Sequence, residues 1–148
     1  MNNRATILLV EDNEDDVFLM RRALKDAEIT NPLHLAEDGQ EAIDYLSGNG
    51  KFSDRETNPL PTVIFLDLKL PYVKGLDVLA WARTNPNLSN IAIVVLTSSE
   101  EPSDLSEAYR RGANSYLVKP PTAPQLLDLA KTFKWHWLET NKFEGRKP

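Results

Sequence analysis

The feature that most constrains this chain is a fivefold alternation of short apolar runs with helical patterns. The runs are ATILLV (5–10), LHLA (33–36), TVIFLD (62–67), IAIVVLT (91–97) and SYLV (115–118). The central ones are unbroken and rich in β-branched residues, as expected of strands buried on both faces in a parallel sheet. Between the runs, Val17, Met20, Leu24 and Ala27 repeat at helical spacing, as do Leu126, Ala130, Phe133 and Trp137 near the end. Residues 39–47, 76–83 and 105–111 supply three shorter helix candidates. Pro86 closes one helical region, and Gly112 stands where a left-handed C-terminal residue belongs. This alternation predicts a doubly wound α/β domain with a five-stranded parallel sheet. One connection is long for such a unit. Residues 47–61, SGNGKFSDRETNPLP, are polar and rich in Gly, Pro and Asn, and loops of that length are often functional or mobile. We expect a single domain over residues 1–148, with a C-terminal helix over about 122–140 and nothing left for a separate output domain.

Composition narrows the function classes. A net charge of −5 argues against a nucleic-acid footprint, which needs a concentrated positive face. The pairs Arg21/Arg22 and Arg110/Arg111 read as solvated helix faces. There is no cysteine, which excludes disulfides and thiolate chemistry. No apolar run approaches the ~20 residues that span a bilayer, and MNNRAT has no signal-peptide pattern. A cytoplasmic protein without nucleic-acid or membrane partners is expected.

The chemistry is sought at the strand ends. In an open α/β sheet, ligands bind beyond the carboxyl ends of the strands, where the strand order reverses. The first strand ends in Glu11 and Asp12, the third in Asp67, the fourth in Thr97, and the fifth runs into Lys119. With the order 2-1-3-4-5, the first and third strands are neighbours at the reversal, and Glu11, Asp12 and Asp67 converge. Each pair of such charges ~4 Å apart costs about 4 kcal/mol at an effective dielectric near 20. The cluster therefore takes up protons or a cation, and Mg²⁺ suits it, because few protein ligands leave coordination sites for water and a phosphate. Asp67 is then the candidate nucleophile, able to form an acyl phosphate. Lys119 would pair with the incoming anion, and the Thr97 hydroxyl would hydrogen-bond another phosphoryl oxygen. Taken singly, a loop cap, a strand end and a surface lysine would explain these three residues. Their joint arrival at successive strand ends favours the chemical reading. Glu14, Asp15 and Asp16 are assigned instead to the first turn of the next helix, with Asn13 as its N-cap.

In order and spacing, ILLVEDNEDD, VIFLDLKLP, VVLTSS and GANSYLVKP resemble the four motifs of two-component response-regulator receiver domains. The similarity spans about residues 5–138. It implies phosphoryl transfer from a histidine kinase's phosphohistidine to Asp67, with Mg²⁺ held by Asp12, Glu11, Asp67 and the backbone carbonyl of Lys69. Receivers often carry two aspartates where this chain has Glu11–Asp12, and with Glu there the ion is often held through water, so Asp12 ranks above Glu11. Thr97 and Lys119 match the switch hydroxyl and the phosphate-pairing lysine. Tyr116 matches the aromatic switch that turns inward when Thr97 moves. The resemblance also implies a cis Lys119–Pro120 bond, and an influence of Lys69 and Ser99 on phosphate lifetime. It implies a signalling protein that catalyses its own phosphorylation and dephosphorylation and has no independent turnover substrate.

The long loop, GLDVLAWARTNPNLSNIAIVVLTSS and the ending LAKTFKWHWLET resemble stand-alone receivers associated with phytochrome-type histidine kinases. Those relatives often form homodimers through the fourth helix, fifth strand and fifth helix. Trp135 lies about 160° from Trp137 around a helix, so it is either an exposed interface anchor or packed against the chain's own loop. His34 and His136 follow no kinase or metal-ligand spacing, and both are expected to be structural. Three alternatives fit less well. A haloacid-dehalogenase-like phosphatase needs an Asp where Lys69 stands. A flavodoxin-type FMN carrier needs a Thr/Ser/Gly phosphate loop after the first strand. An EF-hand loop starting at Asp12 would have Val17 in place of the turn glycine and Ala23 in place of the bidentate Glu.

Overall fold

The computed structural model describes residues 5–98 and 101–132. Five strands, β1 (Ile7–Val10), β2 (Leu33–Ala36), β3 (Val63–Leu66), β4 (Ala92–Thr97) and β5 (Ser115–Val118), form one sheet. Their order is 2-1-3-4-5 and every pairing is parallel, as the sequence predicts. The helices α1 (Glu14–Asp26), α2 (Gly39–Ser47), α3 (Gly75–Thr84), α4 (Pro102–Arg110) and α5 (Ala123–Thr132) fill the crossovers and cover both faces.

Alternate residues along each strand divide the core in two. Leu8, Val10, Ile64, Leu66, Ile93 and Val95 pack with α2, α3 and α4. Ile7, Leu9, Val63, Phe65, Val94 and Leu96 pack with Met20 and Leu24 of α1 and Leu126 and Leu129 of α5. Burial on both faces is why β1, β3 and β4 read as unbroken apolar runs. The edge strand β5 is half-buried throughout.

Local chemistry moves several expected boundaries. The helix expected over 105–111 begins at Pro102, because proline fits the first helical position, where its missing N–H is not needed. Asn85 adopts an extended conformation before Pro86, which ends α3 and opens a 3₁₀ turn, Pro86–Leu88. Gly112 follows α4 with a φ of 110°, the positive φ expected of it, and its N–H donates to the Tyr109 carbonyl at 3.1 Å. The helix expected over 122–140 starts at Ala123 and is described to Thr132. Phe133, Trp135, His136 and Trp137 lie outside the described residues, as does Ser99. His34 sits 5.8 Å from the Tyr45 ring, and burial lowers its pKa, in line with the structural role expected of it.

Arg111 departs from the solvated role expected of it. It pairs with Glu107 at 2.5 Å on its own helix and with Asp77 at 3.2 Å on α3, so it straps α4 to α3.

The long connection between α2 and β3 is fastened down. Gly48, with φ 74°, caps α2 in the left-handed conformation. Phe52 is buried, with its ring 5.1 Å from that of Tyr45. The Arg55 guanidinium donates to the helix-end carbonyls of Tyr45 (2.7 Å) and Leu46 (2.7 Å) and to Asn58 (3.0 Å). The Tyr45 hydroxyl closes the loop on the Pro59 carbonyl at 2.9 Å. Arg55 thus adds a charged donor at the helix end, where the Tyr45 carbonyl otherwise accepts from the capping Gly48 N–H at 3.2 Å. Arg55→Ala is expected to destabilise the protein by about 1.5–3 kcal/mol in urea unfolding, the usual scale for hydrogen bonds from a charged donor. It should also open residues 48–61 to limited proteolysis. An unchanged cleavage rate would mean that Phe52 and the Tyr45 hydroxyl hold the loop without Arg55.

Candidate phosphoacceptor site

Three loops meet beyond the carboxyl edge of the sheet, at the order reversal between β1 and β3. Parallel pairing in register, Val10 beside Leu66, brings the residues after each strand side by side. One carboxylate oxygen from each of Glu11, Asp12 and Asp67 lies within 4.8 Å of the others. Glu11 and Asp67 are buried, whereas Asp12 is exposed at the mouth. From the fifth strand, Lys119 reaches in with Nζ 3.1 Å from Asp67 Oδ2 and 2.8 Å from Glu11 Oε1. Its backbone N–H donates to the Thr97 carbonyl at 2.7 Å, which joins the ends of β4 and β5. Thr97 is fully buried, and with Asp12 and Lys69 it lines a cleft of ≈ 740 Å³ that opens over the site.

Two glycines hold the Asp67 loop tightly. A Cβ on Gly75, the first residue of α3, would sit 2.2 Å from the Asp67 carbonyl oxygen, and one on Gly39 would sit 1.9 Å from that of Val73. The N-termini of α3 and α2 therefore press directly on the backbone that carries Asp67. The Lys69 N–H donates to Asp67 Oδ1 at 3.2 Å and fixes the rotation of the carboxylate. Sequence reading did not single out either glycine. Their one signal is a glycine at the start of each helical pattern.

The electrostatics are unbalanced. Burial is the largest influence on Glu11 and, with the nearby Asp67 charge, pushes its pKa to about 7, although Lys119 works in the opposite direction. Burial also pulls Lys119 down, but the hydrogen bond to Asp16, the close contact with Glu11 and the charge of Asp67 outweigh it, leaving the ammonium above its usual range. The ammonium is thus firmly charged and meets three carboxylates, Glu11, Asp16 and Asp67, with Asp12 close to two of them. Glu11 Oε1 meets it as an ion pair but receives no well-formed hydrogen bond. Buried, under-satisfied, anionic oxygen donors fit a hard divalent cation.

Asp16 corrects one expectation. Asn13 caps α1 as predicted, accepting from the Asp16 N–H at 3.0 Å, and Glu14 and Asp15 are exposed. The Asp16 carboxylate, assigned from sequence to the helix start alone, instead lies 2.8 Å from Lys119 Nζ. The Lys119–Pro120 bond is cis, as the resemblance implies. Tyr116 is half-buried on β5 and packs against the core layer beneath α2, α3 and α4. No helix among the described residues is long and apolar enough to cross a membrane.

Residues 7–131 match the family described as response regulator receiver domain. The response regulator Rcp1 of Synechocystis sp. is 37% identical over 139 residues, which cover 94% of this chain and 92% of that protein. Its Mn²⁺-bound crystal structure superposes with a TM-score of 0.73 over 92% of this chain and 96% of that one. The bacteriophytochrome response regulator RtBRR is 42% identical, with a TM-score of 0.79 over 88% of this chain and 78% of that one. The phosphorylated cyanobacterial phytochrome response regulator RcpA is 34% identical, with a TM-score of 0.76 over 93% of this chain and 96% of that one. Family match, strand order and carboxylate cluster agree, and the chain belongs to the response regulator receiver domains of two-component signalling.

Proposed function

We infer that this receiver accepts a phosphoryl group from the phosphohistidine of a histidine kinase onto Asp67. The observation that carries this is the juxtaposition at Asp67 of two further carboxylates within 4.8 Å and the Lys119 ammonium at 3.1 Å. A carboxylate oxygen of Asp67 attacks phosphorus, the P–N bond breaks, and the imidazole nitrogen leaves with the electron pair and takes up a proton. Lys119 balances charge on the phosphoryl oxygens, and Thr97 hydrogen-bonds to one of them. Mg²⁺, held by Asp12, Glu11, Asp67 and the backbone carbonyl of Lys69, would supply the remaining positive charge when bound. That Rcp1 has a Mn²⁺-bound form supports a divalent ion for this chain as well.

Movement of Thr97 and inward rotation of Tyr116 then change the α4–β5–α5 face. That face exposes Leu105 and Tyr109 on α4 and Leu127 on α5, each at least 40% accessible. A homodimer through this face, with Trp135 as a candidate anchor from the sequence, fits that apolar set. Light scattering is expected to give a dimer that Tyr109→Glu splits. A monomer in the wild type, with and without phosphodonor, removes the dimer. The printed names of RtBRR and RcpA favour a phytochrome-like kinase as donor.

The functional test is acetyl phosphate with Mg²⁺, followed by intact-mass spectrometry. One phosphate adduct, stable in acid and labile to hydroxylamine, is expected. Steady turnover of small phosphoesters in its place would favour a phosphatase.

A further inference from the structure

Lys119 Nζ has three carboxylate neighbours, and they are not equivalent. Asp67 Oδ2 accepts from it at 3.1 Å and Asp16 Oδ2 at 2.8 Å, while Glu11 Oε1 makes an ionic contact at 2.8 Å. An ammonium has three protons, so a phosphoryl oxygen that is to pair with Lys119 must displace a partner. Asp67 carries the phosphoryl group itself. Glu11 has 1% of its side chain exposed, so parting it from Lys119 would leave a buried charge. Asp16 has 27% exposed and stands in the first turn of α1, where its carboxylate returns to water and to the positive end of the helix dipole. Asp16 is therefore the partner that yields at least cost.

We propose that Asp16 is a positioning residue, an exchangeable counter-ion that holds Lys119 beside Asp67 in the resting protein and competes with the phosphoryl group for it. The inference rests on Asp67 being the phosphoacceptor. It assigns to the fifth and last carboxylate of the EDNEDD stretch a role in setting how readily the phosphorylated state forms. Glu14 and Asp15 carry the same charge on the same helix turn but are exposed, and no hydrogen bond or ion pair joins them to Lys119.

The test is calorimetric titration with beryllium fluoride, a phosphoryl mimic, at saturating Mg²⁺. Asp16→Asn keeps an oxygen that accepts from Lys119 but removes the competing charge. Its Kd for the mimic is expected to fall roughly tenfold, the scale of one charge pair a few ångströms apart in a partly solvated site. Asp16→Ser, a second way to remove the charge, should shift in the same direction. Asp16→Glu should return the Kd toward wild type, and Asp15→Asn should leave it unchanged. Equal shifts in Asp15→Asn and Asp16→Asn would reduce the effect to general charge on the helix and overturn the proposal. So would unchanged or weaker binding in both Asp16→Asn and Asp16→Ser. A wild type that binds no mimic at all would instead overturn the phosphoacceptor reading, and this inference with it.

Discussion

Asp67→Asn is expected to take up no phosphate from acetyl phosphate and Mg²⁺ under conditions that modify the wild type fully. The argument is chemical. An amide oxygen is a poor nucleophile toward phosphorus, and attack through it would not give a stable acyl phosphate. The loss should not come from unfolding. The amide oxygen of Asn can still accept from the Lys69 N–H, which meets Asp67 Oδ1 at 3.2 Å. Asp67 also raises the pKa of buried Glu11 by repulsion, so removing its charge relieves a like-charge contact at the bottom of the site. The mutant is therefore expected to unfold at the same or higher urea concentration at pH 7 without divalent ion. Intact-mass spectrometry reads the first outcome and denaturation the second. A hydroxylamine-labile phosphate on the folded mutant would move the acceptor away from Asp67.

The strand-end residues were legible in the sequence because parallel pairing leaves little freedom. Once five apolar runs are taken as parallel strands, the residues just after β1, β3, β4 and β5 must meet along one edge, and Asp12, Asp67, Thr97 and Lys119 do. Asp16 was hidden for the opposite reason. Its position fits a helix first turn equally well whether its carboxylate faces solvent or Lys119, 103 residues away, and periodicity cannot distinguish the two. Arg55 and Arg111 were missed in the same way. Each looks like surface charge, yet Arg55 ends on helix-terminal carbonyls and Arg111 on Asp77 of a neighbouring helix. Long flexible side chains reach partners that local pattern does not encode. Gly39 and Gly75 were obscure because their importance lies in an absent Cβ, visible only once a second backbone stands about 2 Å from where that atom would be.

Glu11→Gln is expected to change the pH dependence of stability. In the wild type, burial above all raises the Glu11 pKa from 4.5 to about 7. Below pH 4.5 the carboxyl is neutral in both folded and unfolded chains and costs nothing. Between 4.5 and about 7 the unfolded chain ionises first, so folding binds a proton and stability falls as pH rises. Above that the penalty is constant, at most about 3 kcal/mol at 1.36 kcal/mol per pKa unit. Part of it is offset by Lys119, whose own raised pKa gives a contribution that stays constant across this range. Glu11→Gln removes the titration. Without divalent ion it should match or trail the wild type at pH 5 and exceed it by roughly 1–3 kcal/mol at pH 8 in urea unfolding. His34 also titrates, with its pKa lowered by burial, but it is common to both proteins and cancels in the difference. Mg²⁺ should reverse the order at pH 8, because an ion that binds only the folded state stabilises it by mass action, and the variant lacks one of the charges that would hold it. A difference between the two proteins that is the same at pH 5 and pH 8 would show that Glu11 is ionised throughout. The paired lysine, and not burial, would then govern that carboxylate.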